Sequence, residues 1–584
     1  MLASEHHPVA VRTPLTLLLL SLGLITAAWW WLATPVLLSH APADPAAKLD
    51  CVSYAPFRDH QSPWNSELII PPEQIAEDLV QLAKISNCVR IYSVDNGLDK
   101  VPELASKVGL KVILGIWIGR DRLKNALLIE IAIAQARDFP DAVTAIIIGN
   151  EVRLRGEMTV AELREIIRSV KARVDVPVSY ADAWEFWLRY KEIQDVVDFV
   201  TIHILPYWED VPVPAEQAAA HVVAIRKQVA LAFPGKDILI GETGWPSRGR
   251  MRDGALPSRV NQARFISEVL ASARTEGFRV NLFEAYNERW KHQWEGTVGA
   301  YWGLIDREDH AVRYPPGAAV GNYPFWSLQL GCGLALCIAV FGAALLALRR
   351  QSPPRPAPWL AVALSATVGG ILAGLAAEKM LYESYGFGDW LVQGLLLIMA
   401  IAAPLLASDA LMSGRRLPTF VELIGPREGR SSNPATIVLG LTLIVTTLIA
   451  AQIALGLVFD PRSRDFPFAS LTMAVVPFLT LSLLNRPKPG ARTLAEAVFA
   501  SLFAVAALYI LFNEGPDNWQ SAWTSAAYLL FGSALWRSHS VAIPSRFAAR
   551  VVRSQTVLFG EQNAGVAADR RRLNPGVGVD ELVE

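Results

Sequence analysis

Two glutamates each stand at the end of a short apolar run of β-forming residues. Glu151 follows TAIIIGN (144–150), and Glu242 ends DILIGE (237–242). Such continuous runs are typical of parallel strands buried on both faces. Carboxyls that face each other about 5–5.5 Å apart suit double displacement at a glycosidic bond: one gives a proton and the other attacks the anomeric carbon. The alternative is structural, with each glutamate paired to an Arg or Lys of the sheet.

Residues able to hold a sugar stand near the ends of the same and neighbouring runs. Asn150 directly precedes Glu151, and an amide there can hydrogen-bond a sugar 2-hydroxyl. Aromatic rings suit the C–H face of a pyranose, although each ring taken singly could equally belong to a core. The candidates are Tyr54, Tyr92, Trp117, Trp184, Tyr207 and Trp208, with Asp182 and His203 beside them. No His/Cys cluster with metal-ligand spacing occurs, so neither a metal nor another cofactor is predicted.

Eight such runs lie between Lys48 and Pro324, separated by helical patterns. One helical pattern follows Thr159, where Thr159 and Glu162 form a capping-box signature. This alternation predicts an α/β fold, a (β/α)8 TIM barrel, with its site at the carboxyl ends of the strands. A doubly wound open sheet is the alternative, but no Gly-x-Gly-x-x-Gly follows the first run. The runs cover 49–55, 89–93, 111–117, 144–150, 177–182, 199–203, 237–242 and 280–285.

The composition of the rest of the chain predicts that much of it crosses a membrane. Of 584 residues 52% are hydrophobic, which excludes a disordered chain, and 54 Lys+Arg balance 55 Asp+Glu, which argues against a nucleic-acid partner. The run 15–38 has no charge and is long enough to cross a bilayer core of about 30 Å. Seven more apolar runs predict an all-α transmembrane domain and eight spans in total: 325–348, 357–377, 389–412, 435–458, 467–484, 493–512 and 519–536.

Loop charges predict the orientation of these spans, because cytoplasmic loops are rich in Lys and Arg. With the N-terminus inside, the outside connections carry only Lys379, Arg462 and Arg464, and the inside ones carry Arg349, Arg350, Arg355, Arg415, Arg416, Arg427, Arg430, Arg486, Lys488 and Arg492. The predicted organisation is a cytoplasmic N-terminus (1–14), an anchor (15–38), an outward barrel (48–324), a seven-helix membrane domain (325–537) and a disordered cytoplasmic tail (538–584). A cleaved signal peptide is the alternative for the first run, which exceeds the usual h-region.

Two of the four cysteines, Cys51 and Cys88, lie on or beside neighbouring predicted strands of the outward barrel. Oxidising surroundings would permit a bridge between them. We expect buried free thiols instead, because so few cysteines in a long chain do not form a disulfide scaffold.

Six blocks of the barrel, in order along the chain, resemble family 17 glycoside hydrolases, the β-1,3-glucan-active (β/α)8 enzymes. The blocks are CVSYAPF, VRIYSVD, LGIWIGRD, IIIGNEVRLRGEMT (146–159), IGETGWPSRG (240–249) and NLFEAYNERWKHQWEGTVGAYWGLID (281–306). The resemblance implies that Glu151 is the acid/base and Glu242 the nucleophile. It also implies substrate-binding roles for Trp245 and for the cluster Glu284, Glu288 and Lys291, although Asn287 replaces an acidic residue often found before that glutamate.

Some bacterial membrane-bound relatives of this family look like β-glucan synthesis proteins of the β-1,3/β-1,6 type, and this chain resembles them. Together with the apolar runs and the loop charges, this predicts a multi-pass protein of the bacterial inner membrane, with a periplasmic catalytic domain and both termini cytoplasmic. Its partners would be β-glucan, membrane lipid and a separate glucan synthase or exporter. Glucan transfer is expected, with a plain endo- or exo-β-1,3-glucanase or a non-catalytic glucan-binding or export module as alternatives. The linkage formed, β-1,3 or β-1,6, stays open.

Overall fold

A closed barrel of eight parallel strands follows the first described helix, α1 (Val9–Ala33). The computed structural model describes residues 9–38, 48–305, 307, 319–348, 356–426, 430–485 and 494–539. The strands pair in chain order, and Val52 of the first pairs with Leu282 of the last, which closes the barrel and confirms the predicted fold over an open sheet. They are β1 (Cys51–Ser53), β2 (Cys88–Arg90), β3 (Lys111–Ile116), β4 (Val143–Asn150), β5 (Val178–Ala183), β6 (Val200–His203), β7 (Ile238–Thr243) and β8 (Arg279–Leu282).

Helices cover the outside of the barrel. The predicted capping box is present: the Thr159 hydroxyl accepts from the Glu162 backbone N–H, and the Glu162 carboxylate accepts from the Thr159 N–H. These bonds satisfy backbone groups that have no partner within the helix. The helices are α2 (Pro72–Ile85), α3 (Val101–Lys107), α4 (Arg122–Asp138), α5 (Val160–Lys171), α6 (Trp184–Arg189), α7 (Ala215–Ala232), α8 (Arg259–Glu276) and α9 (His292–Ala300).

Cys51 and Cys88 form a disulfide, which corrects the expectation of free thiols. The parallel pairing of β1 with β2 brings the starts of the two strands side by side, so both side chains lie on the same face within bonding reach. Placement on adjacent strands was predictable, whereas the register that aligns the two sulfurs is a property of the folded sheet.

The remainder of the described chain is helical. Six helices are long and apolar enough to cross a membrane: Arg12–Ala33 within α1, Trp326–Leu348, Pro358–Glu383, Gly386–Met412, Pro434–Phe459 and Ala495–Glu514. Phe468–Leu484 is a shorter apolar helix, and Trp519–His539 is not among the six. The helices after the barrel are α10 (Trp326–Leu348), α11 (Pro356–Glu383), α12 (Gly386–Met412), α13 (Val421–Ile424), α14 (Pro434–Phe459), α15 (Phe468–Leu484), α16 (Ala495–Glu514) and α17 (Trp519–His539).

Three connections of this helical region lie against the barrel. Arg289 donates to the carbonyl of Ser384 between α11 and α12 (3.1 Å), and Asn518 between α16 and α17 donates to the carbonyl of Met251 (2.9 Å). The connection between α14 and α15 contacts α9. These are the connections predicted to share the barrel's side of the membrane. The predicted inside residues Arg349, Arg350, Arg355, Arg427, Arg486, Lys488 and Arg492 and the tail after 539 lie outside the described residues.

Candidate active site

Glu151 and Glu242 meet at the carboxyl ends of β4 and β7. Carboxylate oxygens of the two residues, together with a ring nitrogen of His203, all lie within 4.8 Å of one another. Glu242 is buried, with 6% of its side chain exposed, while 26% of the Glu151 side chain remains exposed. Each carboxyl is therefore close enough to act on the same sugar ring, and Glu151 is the more open of the two.

The Arg90 side chain at the end of β2 lies beneath both glutamates. Its Nη1 donates to Glu242 Oε1 (3.2 Å) and to the Gly241 carbonyl (2.6 Å), and its Nη2 donates to Asn150 Oδ1 (2.6 Å). One guanidinium thus contacts Glu242 and orients the amide beside Glu151. Sequence reasoning missed Arg90. The signal was an arginine within the predicted buried strand run 89–93, where a charge requires a carboxylate partner.

His203 joins the two glutamates. Burial lowers the pKa of His203 to about 4, so the imidazole is neutral near pH 7 and carries one N–H. His203 Nδ1 lies 3.0 Å from Glu151 Oε1, and Nε2 lies 3.5 Å from Glu242 Oε1 and from both terminal guanidinium nitrogens of Arg90. The imidazole therefore contacts both glutamates and can donate its N–H to one of them.

Burial raises the pKa of Glu151, an effect that the positive charges of Arg155 and Arg90 oppose. A carboxyl with a raised pKa stays protonated closer to neutral pH, as a general acid requires.

The turn after β4 presents Glu151 through an unusual backbone. Gly149 and Glu151 both have positive φ, 84° and 54°, and the second is uncommon for a residue with a side chain. Arg155 holds the turn by donating to the Asn150 carbonyl (2.8 Å), and buried Asp182 accepts from the Arg153 N–H (3.2 Å). Asp182 therefore supports the Glu151 turn from below, rather than binding a sugar as predicted.

The cluster after β8 consists of two ion pairs. Lys291 Nζ lies 2.7 and 2.6 Å from the two oxygens of Glu284, and Arg307 lies 3.1 Å from Glu288. Burial raises the pKa of Glu284 to about 7, against the opposing charge of Lys291. The predicted cluster is thus brought together, but Glu288 pairs with Arg307, which the sequence blocks did not single out.

Four of the predicted aromatic residues keep part of their surface exposed at the barrel mouth: Tyr92, Trp117, Trp184 and Trp208. Arg155 lies over the Trp117 ring (4.1 Å to the centroid), and the Trp184 indole donates to Glu209 (3.2 Å). Arginines also lie over the Tyr92 and Trp208 rings, so a sugar would meet these residues at their remaining exposed surface.

Three other predicted aromatic residues lie in the core, which corrects their assignment to the substrate. Tyr54, Tyr207 and Trp245 are each 0% exposed. The Tyr54 hydroxyl donates to Asp78 (3.0 Å), that of Tyr207 to the Arg250 carbonyl (2.9 Å), and the Trp245 indole to the Leu256 carbonyl (3.1 Å). No face of these rings is free to stack on a sugar.

Two exposed tryptophans that sequence reasoning missed extend the open aromatic surface. Trp64 (62% exposed) and Trp294 (59% exposed) have ring centroids 6.4 Å apart, and Trp64 lies 6.4 Å from Trp117. Neither stands at a strand end, so the search at strand ends passed over them. Exposed clustered tryptophans are costly in water and mark a binding surface.

The spacing of Glu151, His203 and Glu242 could also suit a metal ion. The guanidinium of Arg90 already supplies a cation to this group, within 3.2 Å of Glu242 and 3.5 Å of His203. Nearby Arg155 adds further positive charge that acts on Glu151. The donor set therefore does not favour a divalent cation.

The barrel is similar to known glycosidases. Residues 51–303 match the family described as the BtgE/BtgC glycoside hydrolase domain. Over 263 residues the chain is 26% identical to a "Probable family 17 glucosidase" of Saccharomyces cerevisiae, a match that covers 44% of this chain and 64% of that protein. The barrel is therefore similar in sequence to family 17 glycoside hydrolases. The resemblance of its six sequence blocks is thereby confirmed for the barrel.

Other relatives match the same glycoside-hydrolase-like domain. A "Probable beta-glucosidase" of Neosartorya fischeri is 30% identical over 225 residues, covering 37% of this chain and 40% of that protein. A solved family 17 β-1,3-glucanosyltransferase from Rhizomucor miehei is 23% identical, with 45% of this chain and 95% of that one covered and a TM-score of 0.39. The chain thus spans between two fifths and two thirds of the length of these curated relatives.

Proposed function

We propose that the barrel cleaves β-1,3-linked glucan by double displacement. Glu242, paired with Arg90, attacks the anomeric carbon, while protonated Glu151 gives its proton to the departing glycosidic oxygen. The bond from carbon to that oxygen breaks as the glycosyl ester to Glu242 forms. The proximity of the two carboxyls, within 4.8 Å, is the observation that carries this proposal.

The second step releases the sugar from Glu242. Glu151, now a carboxylate, takes a proton from the incoming hydroxyl, whose oxygen attacks the anomeric carbon and frees Glu242. We propose that a second glucan supplies this hydroxyl, so that the chain remodels glucan as a transferase. The attachment of the barrel to a bundle of apolar helices supports this choice, because a fixed position favours remodelling of newly exported glucan. Release by water is the alternative.

The purified full chain in detergent, incubated with laminari-oligosaccharides, tests the reaction. We expect products of retained anomeric configuration by NMR, and products longer than the starting sugar if transfer occurs. Only shorter products would assign hydrolysis, and linkage analysis would separate β-1,3 from β-1,6 transfer. Glu242→Ala should abolish turnover, while Glu165→Gln, a change at an exposed glutamate on α5, should leave it intact. Binding without turnover in the wild type would favour a glucan-binding module and refute the enzyme.

We further propose that the apolar helices span a bacterial inner membrane with the barrel on the periplasmic side. The disulfide between Cys51 and Cys88 supports an oxidising compartment for the barrel. In a Cys332→Ala/Cys337→Ala background, a membrane-impermeant maleimide should label Glu165→Cys in intact spheroplasts. It should label Ser554→Cys only after permeabilisation. Labelling of Ser554→Cys in intact spheroplasts would refute this orientation.

A further inference from the structure

The connection between α14 and α15 reaches from the helical region to the mouth of the barrel. Ser463 packs its backbone against Gly296 of α9: a Cβ at Gly296 would lie 2.7 Å from the Ser463 carbonyl oxygen. Beside it, the Thr297 hydroxyl donates to Asp465 (2.6 Å). This close approach needs a glycine, and it fixes where the neighbouring Arg462 points.

Arg462 lies between two loops of the barrel mouth. Its guanidinium carbon is 5.5 Å from the centre of the Trp208 ring, which follows β6. Its charge also acts on Glu295 of α9, which follows β8. Burial and the charge of Glu151 raise the pKa of Glu295, and the positive charges of Lys291 and Arg462 lower it. Since β7 lies between β6 and β8, Arg462 borders the part of the mouth that holds Glu242.

The donors of Arg462 are unused within the described part of the chain, where it has neither an ion pair nor a hydrogen bond, and its side chain is exposed. Glu295 likewise makes no hydrogen bond to a described residue. An arginine fork and a carboxylate together offer what recognition of sugar hydroxyls uses, which is hydrogen-bond donors and acceptors.

We infer that Arg462 is a substrate-binding residue which the helical region contributes to the glucan groove at its Trp208 end. The inference rests on the proposed function and deepens it. The guanidinium donates to hydroxyls of a glucose unit bound beside Trp208, while Glu295 accepts from the same unit. The barrel mouth is then complete only when the helical region is docked on it, which gives that region a part in substrate choice.

The test uses full-length Arg462→Ala and Arg462→Lys with laminari-oligosaccharides of increasing length. We expect Arg462→Ala to raise KM for the longer sugars about tenfold, the effect of losing one charge-assisted hydrogen bond, with kcat within about twofold of wild type. Arg462→Lys should recover part of the loss, because it keeps the charge but not the fork. The matched control is Arg464→Ala, two residues away on the same connection, where Arg464 pairs with Asp460 (3.5 Å) and KM should not change.

A binding measurement separates this inference from the proposed reaction. In the Glu242→Ala background, calorimetry with laminarihexaose should show about tenfold weaker binding when Arg462→Ala is added. Equal affinity, or equal KM in the active protein, would overturn the assignment of Arg462 while leaving the reaction intact. The assignment would also be overturned if Arg462→Ala and Arg464→Ala lowered kcat to the same extent, because the connection would then have only a structural role. If the wild type binds laminarihexaose but does not convert it, the proposed reaction is wrong. The calorimetric comparison then still shows whether Arg462 binds the sugar.

Discussion

If Glu151 is the acid, as we propose, its pKa determines the alkaline limit of the reaction. Burial favours the neutral carboxyl, so the protonated, active form persists to higher pH than for an ordinary glutamic acid. We expect kcat/KM to fall as pH rises through this raised pKa. His203, with a pKa of about 4, stays neutral between pH 5 and 8, so its titration does not change kcat/KM over this range. With an aryl β-glucoside whose leaving group needs no proton, Glu151→Ala should stay active, and its kcat/KM should no longer fall at high pH. If kcat/KM of this variant still falls at high pH, another residue is the acid.

Arg90 is the second residue whose effect can be isolated. Arg90→Met keeps the length of the side chain but leaves buried Glu242 without its cation, which costs about 3 kcal/mol of folding free energy. We expect a fall in kcat of about 100-fold or more, because the nucleophile loses its orienting donor. Thermal unfolding and steady-state kinetics measure the two effects. Arg164→Met, which breaks an exposed pair with Asp195, serves as the control and should change neither measurably.

At the scale of elements, the disulfide links β1 to β2 across a separation of 37 residues. Cross-linking a loop of this size stabilises a fold by about 2–4 kcal/mol, largely by restricting the unfolded chain. The Cys51→Ala/Cys88→Ala variant should therefore unfold at lower temperature, and dithiothreitol should lower the midpoint of the wild type but not of the variant. Cys332→Ala, at an exposed free thiol, is the control. Equal midpoints for wild type and double variant would contradict a formed bridge.

At the scale of the whole molecule, a buried ion pair joins the barrel to the helical region. Arg250 pairs with Glu514 at the end of α16, and both side chains are buried. Arg250→Ala leaves Glu514 buried without its partner, so we expect a loss of about 3–5 kcal/mol and a clearly lower unfolding temperature. Arg264→Ala, which breaks a more exposed pair with Glu216, should cost less than about 1 kcal/mol. Similar losses in the two variants would mean that the interface does not stabilise the fold.

Local patterns predicted the barrel and the strand-end positions of Glu151 and Glu242, because each strand is a continuous apolar run and barrel sites lie at strand carboxyl ends. The roles of the two glutamates stay a prediction. The capping box at Thr159 was equally readable, since both partners lie within three residues. Tyr54 and Tyr207 were misassigned because a strand-end position does not say whether a ring points into the mouth or into the core, and Trp245, assigned from the family resemblance, is also buried.

The sequence by itself determined which elements form, which residues stand at the strand ends and which helices are apolar enough for a membrane, because these depend on local periodicity and composition. Only the tertiary structure decided that Arg90 and His203 bridge the two glutamates, that Cys51 meets Cys88, and that Arg462 reaches Trp208. Those contacts join residues far apart in the chain, and they depend on strand register, barrel closure and domain docking, none of which a local pattern encodes.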